Sequence, residues 1–182
     1  MSHHEAPVRY GTGLMALHWL TLLLVIGAYG SIELRELFER GTSERDFMKW
    51  LHFNIGLSIL LVTALRLGYR WARPAPPALA TTPAWQRFSA GAVHASLYAL
   101  LLAMPVLGWA VRSAEDHEVA LWGLGLPSLL APDEGLAEQL EEVHELLGKV
   151  GYGLIAFHAL AALAHHYLQG DDTLRRMLPA RR

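Results

Sequence analysis

His144 and His158 stand 14 residues apart in a long apolar stretch, and that spacing gives them a chemistry in common. At about 1.5 Å and 100° per helical residue, 14 residues advance about 21 Å and fall only about 40° short of four whole turns. Both imidazoles then project from nearly one face of a helix. A bilayer's hydrocarbon core is about 30 Å thick, so on a spanning helix the two lie at the depths of opposite leaflets. An imidazole inside a membrane is expensive unless partnered, so each of them calls for a ligand or a relay.

Three other apolar runs supply partners: 13–32 holds His18, 47–69 holds His52 and 88–111 holds His94. With the histidine run at about 138–169 they make four spans, and the chain reads as one transmembrane domain over 1–182, an all-α integral membrane four-helix bundle. Composition agrees, since 53% of the 182 residues are hydrophobic and the mean hydropathy is +0.25, high for a water-soluble domain. The first run is too long for a signal-peptide core, and only Arg9 precedes it among Lys and Arg. The stretch 73–83, RPAPPALATTP, reads as a connecting loop. The motif WGLGLPSLLAP, between the third and fourth runs, reads as an interfacial or re-entrant piece.

Charge orients the spans. With both termini cytoplasmic, the inner segments hold nine of the fifteen Lys and Arg residues, Arg181 and Arg182 among them, and the long acidic loops lie outside. His18 and His158 then lie at one depth in the inner leaflet, and His52 and His144 at one depth in the outer. The absence of cysteine excludes thiolate metal sites, iron–sulfur clusters and covalent haem attachment. Two buried histidine pairs lack the third and fourth protein ligands zinc takes. What fits is two b haems, each with two axial imidazoles and an apolar macrocycle between helices. Gly56 and Gly148 each follow a ligand by four residues, where a flat ring needs room; helix packing would use glycine equally. His94 lies at about the depth of His18, and either serves as the second inner ligand. His165 and His166 gather with Arg87, Arg66 and Arg70 at the inner end, where two-electron, two-proton reduction of a quinone would find its protons. His117, His3 and His4 carry no assignment.

Several stretches carry a resemblance: HWLTLLLVIGAY from His18, RPAPP, HASLYALLLAMPVLGW from His94, and HELLGKVGYGLIAFHALAALAHHYLQGDDTLRRMLP from His144. Together they resemble the bacterial cytochrome b561 family, in particular its superoxide oxidase type. The resemblance implies a multi-pass protein of the bacterial inner membrane with two haem b groups, oxidising superoxide at the periplasmic side and passing electrons to ubiquinone. It supports His18, His52, His144 and His158 as axial ligands to haem iron. It makes His94, His165, Arg87 and Arg66 candidates for the quinone site or the haem propionates. Partners are then superoxide, ubiquinone and the lipid bilayer, with no nucleic acid.

Two features pull against that implication. Lys149 sits inside the fourth run and calls for a partner, a haem propionate or Glu145. The outer segments hold fourteen acidic residues against five basic ones, a surface that repels an anion on average. Superoxide capture therefore requires a local basic funnel, for which Arg35, Lys49 and Arg112 are the candidates. The same bis-histidine pattern also resembles cytochrome b subunits that link a partner dehydrogenase or hydrogenase to the quinone pool. A reading from another class is a haem-free scaffold or ion-binding protein whose histidines pair only with one another.

Overall fold

A computed structural model describes residues 9–73, 76–77 and 82–179; parts of the expected 73–83 loop, and His3, His4, Arg181 and Arg182, lie outside the described residues. Four helices dominate: α1 (Thr12–Leu34), α2 (Ser43–Ala72), α3 (Ala84–Ala114) and α4 (Glu134–Tyr167). Each contains a stretch long and apolar enough to cross a membrane. Every one starts before the apolar run that announces it, because polar capping turns are added outside the hydrocarbon. Thr42 accepts the Arg45 N–H at the start of α2, and Asp133 accepts the Leu136 N–H at the start of α4. At its other end α4 stops at Tyr167 rather than reaching residue 169. Leu168 and Gln169 both donate to the Ala164 carbonyl, and Gly170, at φ 68°, turns the chain back.

The helices pack in chain order, α1 on α2, α2 on α3 and α3 on α4. The backbones of α1 and α2 make no extended contact with α4. Tyrosines cross that space: the Tyr29 hydroxyl donates to the Gly148 carbonyl at 2.9 Å, and Tyr152 donates to Glu33 at 2.6 Å. A side chain at Gly151 would meet the Tyr29 hydroxyl, so glycine there is a packing requirement. Large apolar residues such as Leu23, Ile26, Leu65, Phe88 and Leu160 face outward, as lipid-facing residues do.

The WGLGLPSLLAP motif opens with the turn and second strand of a β-hairpin. Strands β1 (Val119–Leu121) and β2 (Leu124–Leu126) pair antiparallel, with Val119 opposite Leu126. The two-residue turn places both Trp122 (φ 50°) and Gly123 (φ 90°) in the left-handed region, the primed geometry that tight hairpins use. Tryptophan is strained there, and α2 holds it. Its backbone N–H donates to Asn54 Oδ1 at 2.5 Å and its indole N–H to Ser58 at 3.0 Å. Asn54, only 1% exposed, in turn donates to the Trp50 carbonyl. Asn54→Ala strands a buried donor and should destabilise the protein by about 1–3 kcal/mol. Amide hydrogen exchange should then accelerate across 119–126 before elsewhere; unchanged exchange there would show that Asn54 does not hold the hairpin.

Candidate functional site

The spacing on α4 places its two histidines opposite residues of other helices at two levels. At the first, the rings of His52 on α2 and His144 on α4 have centroids 6.2 Å apart at 77°. His52 Nδ1 lies 2.8 Å from the Ala28 carbonyl of α1. A carbonyl only accepts, so we assign the ring proton to Nδ1, which leaves the Nε2 lone pair free to bind a metal. His144 Nδ1 is buried and makes no hydrogen bond of proper geometry, although a backbone acceptor of Met104 lies near. At the second level His18 of α1 faces His158 of α4, centroids 6.4 Å apart at 71°. His94 of α3 joins them 5.3 Å from His158. His18 Nδ1 is also buried without a hydrogen-bond partner.

Distance decides what these pairs can do. A metal bonded to two opposed imidazoles at about 2.0–2.1 Å, with about 1.15 Å more from each nitrogen to its ring centre, separates the centroids by about 6.3 Å. The His52/His144 and His18/His158 pairs match that span, and His94/His158 is about 1 Å short of it. The surroundings leave room for a flat ligand. A Cβ on Gly56 would meet nothing within 4 Å, and one on Gly148 only the Met104 methyl at 3.7 Å.

Of the remaining polar candidates, the structure gathers some and separates others. Arg66 reaches the second level, its guanidinium 5.3 Å from the centre of the Tyr98 ring. Arg87 does not: it folds back on its own chain to donate to the Thr82 carbonyl at 2.7 Å. His165 is bound instead to Asp171, a residue absent from the sequence-based set, at 2.7 Å. The Gly170 turn makes the pair, bringing the Asp171 N–H to the His165 carbonyl. The glycine-acid step GDD, so soon after two histidines, was the available signal. Burial works to raise the Asp171 carboxyl, but hydrogen bonds from Thr173 and His165 outweigh it and hold it below the usual carboxylate range. Lys149 stands 3.8 Å from Glu145, one of the two partners its place in the apolar run calls for.

At the end nearer His52, Arg35 and Lys49 line a cleft of about 320 Å³ together with Arg40, Gly41 and Arg45. Arg45 is 9% exposed and braces the cleft floor, donating to the Arg35 and Phe38 carbonyls and to Glu36. Among the described residues, Arg40 and Lys49 pair with no carboxylate. Arg112 does not line this cleft. It lies over the Phe53 ring, 5.7 Å from its centre, and donates to the Glu118 carbonyl. Arg40 and Arg45 escaped the sequence-based set because only the turn at Gly41 (φ 84°) brings them together.

The chain is similar to known proteins over nearly its whole length. A family model described as prokaryotic cytochrome b561 matches residues 9–180. Cytochrome b561 homolog 1 of Escherichia coli (strain K12) is 36% identical over 178 residues, 96% of this chain and 99% of the relative. The probable superoxide oxidase CybB of Yersinia pestis is 36% identical over 174 residues, covering 96% and 98% of the two chains. Cytochrome b561 homolog 2 of Escherichia coli is 30% identical over 181 residues, or 98% and 95%.

The Asp171 turn yields a pH dependence of definite sign. A carboxyl held low in the folded state contributes stability that is present above its unfolded pKa and lost as pH falls through the folded one. Amide protection in 168–173 should therefore weaken as pH falls through and below the ordinary carboxylate range, and Asp171→Asn should flatten that response. Equal profiles for the two proteins would mean that the turn does not depend on this carboxylate.

Proposed function

The chain belongs to the prokaryotic cytochrome b561 family of membrane electron carriers, and on that premise we propose that it is a dihaem superoxide:ubiquinone oxidoreductase. Members of this family bind b-type haem, and four spanning helices make the chain a multi-pass bacterial membrane protein. One haem is held by His52 and His144, the other by His18 and His158. The observation that carries this reading is the centroid separation in each pair, 6.2 and 6.4 Å, which is the span of one metal between two imidazoles. When bound, the haems supply one-electron exchange at iron.

The chain's own residues supply the rest. The Ala28 carbonyl fixes the His52 tautomer, which would leave the Nε2 lone pair to bind iron. The cleft of Arg35, Arg40, Arg45 and Lys49 attracts a small anion to the His52 end, and one relative carries the name probable superoxide oxidase. Each superoxide leaves as dioxygen after giving up one electron. Two electrons with two protons convert ubiquinone to the quinol. Those protons enter at the His18 end, where His94 and the His165–Asp171 pair lie. The distribution of Lys and Arg favours the His52 end outside and both termini in the cytoplasm. In this reading the whole chain is one domain, and neither Arg87 nor Arg112 touches the reacting groups.

Haem content distinguishes His18 from His94. The purified protein should hold two b haems per chain; His18→Ala should retain one and His94→Ala both. The reverse pattern would transfer the ligand role to His94. A stopped-flow experiment tests the reaction. Oxidised protein mixed with a superoxide source should show reduced b-type bands that ubiquinone discharges. Reversing the charges of Arg40 and Lys49 to Glu should slow that reduction about tenfold or more and remove its decline with salt. Bands that appear with dithionite but not with superoxide would instead identify a partner dehydrogenase or hydrogenase, or a quinol, as the donor.

A further inference from the structure

The 14-residue step between His144 and His158 on α4 also separates His52 from Arg66 on α2. By the same rise and rotation, Arg66 lies on the His52 face of α2 and about 21 Å further along. That is the level of His18, His94 and His158. Each of the four helices thus sends one basic group there, three imidazoles and one guanidinium. Arg66 is near enough for its charge to act on all three rings.

Among the described residues no carboxylate pairs with Arg66, its Nε is buried without a hydrogen bond, and its guanidinium lies 5.3 Å from the centre of the Tyr98 ring. A guanidinium keeps its proton in proteins, so the charge is permanent. Arg70, one turn on, is exposed; its charge acts on His94 ahead of that of Arg66, but on neither His18 nor His158, the two proposed ligands. The first level differs. Arg35 acts on His52 but is tied to Glu36 by contacts of 2.8 and 3.0 Å, and the charge that follows His144 in the chain is the carboxylate of Glu145.

Ferric haem carries one more positive charge than ferrous haem, so an adjacent unpaired cation favours the ferrous form. We propose that Arg66 sets the direction of electron flow by holding the haem between His18 and His158 at a higher potential than the one between His52 and His144. The inference rests on the dihaem reading above. One electron moves: the iron held by His52 and His144 is oxidised and that held by His18 and His158 is reduced, with no bond made and no proton transferred. Arg66 acts through the haem and is therefore a positioning residue for charge rather than a catalytic one.

The test is an anaerobic spectroelectrochemical titration of the full-length, haem-loaded protein in detergent. Wild type should titrate in two waves. Arg66→Met should lower the upper wave and leave the lower one in place. The equilibrium ratio of electrons between the haems should fall about tenfold or more, the effect of a unit charge at ~10 Å where the effective dielectric constant is ~20. Arg66→Lys, which keeps the charge, should stay near wild type. In a His52→Ala background that retains a single haem, Arg66→Met should shift that haem downward, which assigns the wave. The inference fails if neither wave moves, as when a propionate neutralises Arg66, if the lower wave moves, or if Lys shifts the wave as far as Met does. Arg66→Gln is titrated in parallel; loss of a haem from both the Met and Gln variants would assign Arg66 to anchoring and overturn the tuning role. Fewer than two haems in the wild type would overturn the dihaem reading itself.

Discussion

The structure depends on keeping four imidazoles opposed in pairs inside an apolar medium that tolerates few polar groups. The 14-residue step on α4 fixes two levels at once, and α1 and α2 must run in opposite directions for His18 and His52 to meet them. Packing follows from that demand. α1 and α2 pack tightly on each other, as do α3 and α4, while α4 stays clear of the first pair where the rings face one another. Tyr29 reaches across to the Gly148 carbonyl, and Gly151 leaves space for its hydroxyl. The opening between the helix pairs is therefore held at a set width by side chains that are not themselves at either histidine level.

Polar groups in this bundle fall into two kinds, separated by whether the chain satisfies them. Asn54 is saturated: it donates to Trp50 and accepts from Trp122, and it stitches the hairpin to α2. Ser113 does comparable work, donating to Trp109 and accepting from Leu129. These are structural groups, and each repays its burial with hydrogen bonds. His18, His144 and Arg66 keep buried nitrogens for which the chain provides no partner. Buried nitrogens without a hydrogen bond also occur at Arg112 and His166, so what distinguishes the two levels is that each sets imidazoles of different helices face to face.

Legibility in the sequence followed the range of the interactions. The four spans and the pairing of His18 with His158 and His52 with His144 could be read because helix geometry alone relates residue number to depth and face. Three helix starts were placed about four residues late because capping turns are polar and leave no mark on an apolar run. The basic cleft was half read: Arg35 and Lys49 were found, but the turn at Gly41 that adds Arg40 and Arg45 is local backbone geometry. Arg112 was grouped with them on charge and depth, yet Phe53 and Glu118 hold it elsewhere. Lys149 was read as needing a partner from its place in an apolar run, and Glu145, one turn away, stands 3.8 Å from it. Asp171 was missed because its partner is reached only through the left-handed turn at Gly170.

The acidic outer segments and a basic cleft for an anion are compatible once distance is considered. At physiological ionic strength the Debye length is about 8 Å, so carboxylates on separate loops are largely screened from one another and from a point in the cleft. The cleft places four cations around a single cavity, and among the described residues only Glu36 opposes them at contact distance, occupied by Arg35 and Arg45. An anion at its mouth therefore experiences Arg40 and Lys49 more strongly than the acids of the other outer segment, while Glu39, Glu44 and Asp46, on the same segment as the cleft, form no ion pair with its cations among the described residues. Counting charges over a whole face predicts repulsion; weighting them by distance and screening predicts attraction at one place. The same weighting applies at the other end of the bundle, where one unpaired guanidinium in a low-dielectric interior outweighs several arginines in water.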